Sequence, residues 1–267
     1  MDLNAIKAKL TALNTDNQSQ EKTDYTKIFW RPELGKQTVR IVPSAYDPAF
    51  PFKELKFHYG VGKYPMVALS NFGKQDPIEE FVKELKKTSD KDNWSLAGKL
   101  NPKTRIFAPV VVRGEEDKGV RLWGFGITIY KALLALAEDE DIGDFTDVIN
   151  GWDMVVEQRQ GNPYPETTVR IKPKQTPLSD DNDLVDTWLK EQPNPVDVHS
   201  QYDYDFIKKQ LQNYLNPGSA EENAPSAGSE SSTPESSGSP QKTDFTLETA
   251  TAGNKDTVSK FDDLFNE

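Results

Sequence analysis

From Asn216 to about Gly253 the chain is almost entirely Ser, Gly, Pro, Glu, Ala, Thr and Asn, and this stretch bounds what the sequence can fold into. Residues so poor in apolar side chains bury too little surface to offset the entropy of ordering, so a disordered tether is predicted there. The tether ends in Lys260-Phe261-Asp262-Asp263-Leu264-Phe265. Phe261, Leu264 and Phe265 fall at i, i+3 and i+4, one face of a short helix, with Asp262 and Asp263 beside them. That pattern predicts a docking peptide for a protein partner. The foldable part, residues 1 to about 215, is long enough for one good core or a core plus an excursion.

The formal charge of −11 is unevenly spread. Lys27 to Lys131 holds 19 Lys and Arg against 12 Asp and Glu, whereas Ala132 to Leu215 holds 7 against 17 and the tail from Asn216 holds 3 against 10. A basic region inside an acidic chain suits a protein that binds a polyanion and tempers that binding itself. Cysteine is absent and the histidines are His58 and His199, which removes disulfides, thiol chemistry and Cys-type zinc sites. No charged-then-apolar leader and no apolar run of membrane-spanning length is read, so an intracellular, soluble protein is expected.

Leu3, Ile6, Leu10 and Leu13 recur at helical spacing, with Lys7 and Lys9 on the other side, so residues 2–13 predict a small amphipathic helix, either an oligomerisation arm or a helix packed on its own domain. The polar residues 14–22 separate it from the body. Short strands follow at 37–42 and 53–59, a helix at 76–87, a hairpin of 105–113 with 120–125, and a helix at 127–137. A second hairpin joins 152–160 to 167–172 across Gly161 to Pro165, before helices at 183–190 and 202–215. The predicted class is mainly β with peripheral helices (α+β): an OB-fold-like small barrel with an inserted helical excursion. The expected division is 1–22 as helix and linker, 23–215 as core and 216–267 as tail.

Enzyme signatures are missing: no Gly-rich phosphate loop, dinucleotide fingerprint, nucleophile elbow or zinc-protease motif. No catalytic residue, metal or cofactor is expected. Glu138 to Asp141 read as a solvated acidic loop, and Asp180 to Asp183 lack the central Gly and closing Glu of a calcium loop. What stands out is aromatics interleaved with cations. Lys56, Tyr59, Lys63 and Tyr64 surround one turn; Trp94, Lys99, Lys103, Arg105 and Phe107 lead into the third strand; Arg121, Trp123, Phe125, Tyr130 and Lys131 follow on its partner. Single-stranded nucleic acid is bound by this mixture, cations tracking the backbone while aromatic faces stack on bases. About half of these aromatics are expected in the core: Ile106 or Phe107 must point inward, and Trp123 or Phe125 also.

In order along the chain, Ala8-Lys9-Leu10 to Leu13-Asn14, Val39-Arg40-Ile41-Val42-Pro43-Ser44, Lys103-Thr104 through Phe107-Ala108 to Val112, Trp123-Gly124-Phe125-Gly126, and Lys260 to Asn266 form a collinear set. This set resembles the single-stranded DNA-binding (helix-destabilising) protein family of T-even-type tailed phages. The resemblance implies an OB-fold core, an N-terminal cooperativity arm and an acidic partner-binding tail. It also implies DNA contacts by Arg40, Trp94, Lys103, Phe107 and Tyr164, with Tyr164 across a cleft from Trp94. The family's best-known members carry a zinc subdomain of three Cys and one His. Residues 76–87 stand there instead, which implies a zinc-free variant with apolar helix packing. The basic cluster of the arm is reduced here to Lys7 and Lys9.

The reading is therefore a protein that coats single-stranded DNA without sequence preference in replication, recombination and repair. Its nucleic-acid contacts would come from Arg40, Lys56, Tyr59, Lys63, Tyr64, Trp94, Lys99, Lys103, Arg105, Phe107, Arg121, Trp123 and Tyr164. It would self-associate along the strand through Lys7 and Lys9 of the N-terminal helix. It would recruit replisome and recombination proteins through Phe261, Asp262, Asp263, Leu264 and Phe265. The alternatives are a protein–protein adaptor whose aromatics are all core, and an RNA-binding OB-fold protein, since nothing in the sequence reads a 2′-hydroxyl.

Overall fold

The structure, a computed structural model, describes residues 25–216 and 255–265. The helix expected at 2–13 with Lys7 and Lys9, the low-complexity stretch and the Asp262 side chain lie outside the described residues.

The described residues open with a helical turn α1 (Tyr25–Ile28), then β1 (Phe29–Trp30), β2 (Gly35–Ile41), β3 (Lys53–His58) and β4 (Met66–Val67). After a 3-10 turn come α2 (Pro77–Lys86), α3 (Lys91–Leu100), β5 (Lys103–Val112), β6 (Arg121–Phe125) and α4 (Ile127–Glu138). The series closes with β7 (Gly151–Arg159), β8 (Glu166–Thr176), α5 (Asn182–Lys190), α6 (Tyr204–Leu215) and α7 (Lys255–Phe265). The strands make one mixed eight-stranded sheet in the order β1-β6-β5-β2-β7-β8, with β3 on β5 and β4 on β3. β1 runs parallel to β6. The class is α+β as expected, but the sheet is open: its path ends at β1 and β8 without closing on itself, so the small closed barrel is not what these pairings give.

Two compact units divide the chain. The first comprises Met1–Phe52, Ala108–Gly124 and Lys131–Asn194. Within it, β2 pairs antiparallel with the second half of β5, Val39 facing Val112 and Ile41 facing Val110, and on its other edge with β7. β7 and β8 form the long second hairpin. Trp188 and Val185 of α5, with Leu178, pack on Val42, Val111 and Val120. Asp181 caps that helix, accepting from the backbone N–H groups of Asp183 and Leu184. Gln192, just beyond α5, donates to the carbonyls of Pro43 and Trp188 and accepts from Ala45 N–H.

The second unit comprises Lys53–Phe107, Phe125–Tyr130 and Pro195–Glu267. Here β3 pairs antiparallel with the first half of β5 and with β4. Helices α2, α3, α6 and α7 surround an apolar cluster that includes Leu69, Ile78, Phe81, Leu85, Ala97, Leu100, Ile207 and Leu211. Helix α2 starts where the sequence says it must. Asp76 accepts from Ile78 and Glu79 N–H, Pro77 occupies the first turn, and Ile78, Phe81, Val82 and Leu85 form the buried stripe.

Candidate nucleic-acid interface

The aromatics and cations named above separate into buried and exposed sets. In the first unit, Arg40 is 0% exposed. It sits on β2 opposite Val111, and its guanidinium is taken up by protein groups. Nη1 donates to Asp153 Oδ1 (3.4 Å) and Thr176 Oγ1 (3.3 Å), and Nη2 to the carbonyls of Asp147 (2.8 Å) and Thr176 (2.7 Å). Burial pushes its pKa down, and the neighbouring Asp153 opposes that shift. Arg113 clamps the same carboxylate, with Nε and Nη2 on Asp153 at 2.9–3.2 Å. The inward-facing arginine that the resemblance assigns to a DNA cleft is, in this structure, a buried tie between β2, β7 and β8. Gly151 leaves room for it, since a Cβ there would collide with Asp147 O and Arg40 Nη2.

Arg121 is likewise buried, its Nη2 2.5 Å from Glu115 Oε2. The hydrogen bonds from Arg121 and Lys118 hold the Glu115 carboxyl below its usual range. Trp123 is 1% exposed and meets Trp30 edge-on, ring centroids 5.5 Å apart. Tyr164 is the contrast: it is 53% exposed in the loop between β7 and β8, which contains a cis Asn162–Pro163 bond. At Gly161 a Cβ would collide with the Tyr164 carbonyl, so the loop is built around that close approach.

In the second unit, β3 and β5 build a half-apolar, half-cationic face. Register places Lys53 opposite Phe107, Leu55 opposite Arg105 and Phe57 opposite Lys103, and alternation puts all six side chains on one side of the pair. Leu55, Phe57 and Phe107 are buried, Lys53 and Lys103 are exposed, and Arg105 is half-buried. His199 packs against the rings of Phe57 (5.0 Å) and Phe107 (5.3 Å), and burial pushes its pKa down. Tyr59 is half-buried beside Phe57; burial raises its phenol pKa and the Arg105 charge partly offsets the rise. Lys56 is exposed on the opposite side, above Glu54, which accepts from the Tyr130 hydroxyl and helps push that phenol up to about 12.

Two aromatics of this unit stand out in solvent. Tyr64 is 64% exposed with the Lys63 ammonium 5.4 Å from its ring centroid. Trp94 on α3 is 53% exposed, and its indole N–H donates to the Thr88 carbonyl (2.8 Å), so the ring is oriented though uncovered. Lys99, on the same helix, is exposed. Of the residues drawn from the sequence, Arg40, Phe107, Arg121 and Trp123 are therefore interior. Lys56, Lys63, Tyr64, Trp94, Lys99, Lys103 and Tyr164 are at the surface, with Tyr59 and Arg105 between. Both Ile106 and Phe107 are buried, because β5 is covered on both sides. Sequence reading also passed over Arg170, Lys172 and Lys174 on β8, in the hairpin that carries Tyr164; Arg170 and Lys174 are exposed and Lys172 half-buried. The signal was the three cations of the R-I-K-P-K run.

His58, Asp76 and Glu79 bring ligand-type atoms within 4.8 Å of one another. Protein donors already engage them. Asp76 accepts from His58 Nε2 (3.0 Å), Leu69 N–H (2.8 Å) and the first turn of α2, and Glu79 accepts from Ser70 Oγ. Burial raises the Asp76 pKa, but the His58 and backbone hydrogen bonds outweigh that and hold it below the usual value. The set reads as a helix cap locked to β3. It does not supply the thiolates of a three-Cys, one-His zinc site.

The tail tip is seated on its own chain. In α7, Phe261 is 2% exposed, with its ring 6.0 Å from Phe81 and 4.8 Å from Phe265. Phe265 is half-buried against Tyr204, and its carbonyl accepts from Lys208 Nζ (2.9 Å). Leu264 and Asp263 are exposed. Residues 33–203 match the model of a family described as gp32 DNA binding protein like, a span of more than half the chain. Comparison with curated proteins finds no match.

Proposed function

The chain belongs to the gp32-like DNA-binding protein family, and from that premise we propose that it coats single-stranded DNA without sequence preference during replication, recombination and repair. The observation that carries the reading is Trp94, a large ring half out in solvent yet fixed by its own N–H. An oriented aromatic face is what a splayed base stacks on, contributing about 1–3 kcal/mol per base. Tyr64 and Tyr164 offer further faces. In the second unit Lys56, Lys63, Lys99, Lys103 and Arg105 supply charge that tracks phosphates, and in the first unit Arg170, Lys172 and Lys174 do so. None of these contacts reads a base edge, so binding is general in sequence and falls with salt at a slope of about −0.7 per phosphate neutralised.

The N-terminal segment with Lys7 and Lys9 links neighbouring copies along the strand in this reading. The acidic tail competes with DNA for the cationic surface and, once displaced, recruits proteins through Phe261, Asp262, Asp263, Leu264 and Phe265. Trp94→Ala and Tyr164→Ala test the contact set. Each weakens binding to oligo(dT) by roughly 5- to 150-fold, the equivalent of one lost stack, while the melting temperature is unchanged. Unaltered affinity in both would remove stacking from the account. Stronger binding to oligo(U) than to oligo(dT) of equal length would move the protein to RNA.

A further inference from the structure

The packing of α7 points to a second binding surface. We propose that the face built by α2 and α6 is a receptor for the acidic–aromatic helix Lys255–Phe265, and that the same face takes the tip of a second copy of this chain whenever its own tip is released. Three features support this. Among the described residues, the anchors of this short helix are Phe261, which inserts beside Phe81, Phe265, which lies against Tyr204, and Thr257, buried beside Asn93 of α3. An isolated helix of 11 residues is marginal in water, so its order is coupled to docking. Lys208 adds polar complementarity, since its ammonium donates to the Phe265 carbonyl at the C-terminal end of the helix and lies 5.2 Å from the Phe265 ring.

The connection between receptor and ligand is residues 217–254. Thirty-eight residues reach at most roughly 130 Å when extended, farther than the distance to an adjacent copy of a 30.1 kDa chain. Tethering makes docking in cis intramolecular, with an effective concentration on the order of 1 mM, so a modest affinity suffices to keep the tip seated. The consequence for function, which rests on the reading above, is that Phe261 and Phe265 are hidden from outside partners while docked. A partner that uses those rings must first empty the receptor.

The test uses a fluorescein-labelled peptide of residues 255–267 and the full-length chain, read by anisotropy without DNA, so that its failure is distinct from a failure of DNA binding. The Phe261→Ala/Phe265→Ala chain, whose own tip no longer competes, binds the peptide at least about tenfold more tightly than the wild-type chain. Adding Lys208→Glu to that chain weakens the binding again, and a peptide with both Phe replaced by Ala does not bind. Absence of binding to any chain, or equal binding to the wild-type and tip-variant chains, overturns the proposal. Amide exchange gives an independent reading that needs no tip variant: residues 255–265 are protected in the wild-type chain and exchange faster in Lys208→Glu. Unprotected, equal exchange in the two overturns it as well.

Discussion

Asp153 holds two arginines, Arg40 from inside the first unit and Arg113 from its margin; Arg40 also donates to the Asp147 and Thr176 carbonyls and the Thr176 hydroxyl, and Arg113 to the Pro177 and Leu178 carbonyls. Removing one member of a buried pair leaves the other charge uncompensated, which costs about 3–5 kcal/mol. Asp153→Ala is therefore expected to lower the stability of the chain by that amount in chemical denaturation. Arg40→Lys keeps the charge but loses the fork that serves Asp153, Asp147 and Thr176 together, and a smaller loss is expected. A stability within about 0.5 kcal/mol of wild type for Asp153→Ala, the range of an ordinary surface substitution, would contradict the role assigned to this cluster. The same residues show what sequence alone can say of a side chain. Arg40 is recognisable as a strand position with Val39 and Ile41 on the other face, yet its partners lie more than 100 residues away. No spacing rule distinguishes an arginine that meets phosphate from one that meets Asp153.

At the scale of elements, the first turn of α2 combines a helix cap with a buried hydrogen bond from His58 on β3. Asp76 is ionised below its usual pKa because His58 and backbone N–H groups stabilise the charged form. A carboxylate with a depressed folded pKa contributes stability that is fully present above its unfolded value, near about 3.9, and is lost as pH falls through the folded value. Asp76→Asn is thus expected to melt below wild type at neutral pH, with the gap narrowing in acid; a gap independent of pH would contradict it. The strand at 37–42 was legible because its period-two alternation matches the pleat of a strand, that at 105–113 because it is a short apolar run rich in β-branched residues, and α2 because its cap and stripe agree. Helix α3 was not, for a local reason. Asn93, Ser95 and Gly98 are weak helix formers, and the helix depends instead on the Asp90 cap and on burial of Ala97 and Leu100. That omission placed Trp94 on the approach to a strand, where its exposure could not be foreseen. The helical face of the tip was legible too, but its seat is assembled from Phe81 and Tyr204, which only the fold brings together.

At the scale of the whole molecule, an acidic chain of net charge −11 binds a polyanion only if its cations are locally concentrated and its acidic tail can leave them. Deleting residues 217–267 is expected to tighten binding to oligo(dT) at low salt, with the difference shrinking as salt screens the tail. Equal affinity and equal salt dependence with and without the tail would remove the competition. Of the five tryptophans, Trp30, Trp123 and Trp188 are buried, Trp152 is half-buried and Trp94 alone is exposed, which gives the central claim a built-in reporter. The most direct measurement is titration of tryptophan fluorescence with oligo(dT) at low and at moderate salt, on the wild-type chain and on Trp94→Phe. The account predicts strong quenching that weakens steeply with salt and is largely lost in Trp94→Phe. No quenching at either salt, with no binding by anisotropy, would contradict single-strand binding and leave a protein whose tail is its only interacting element.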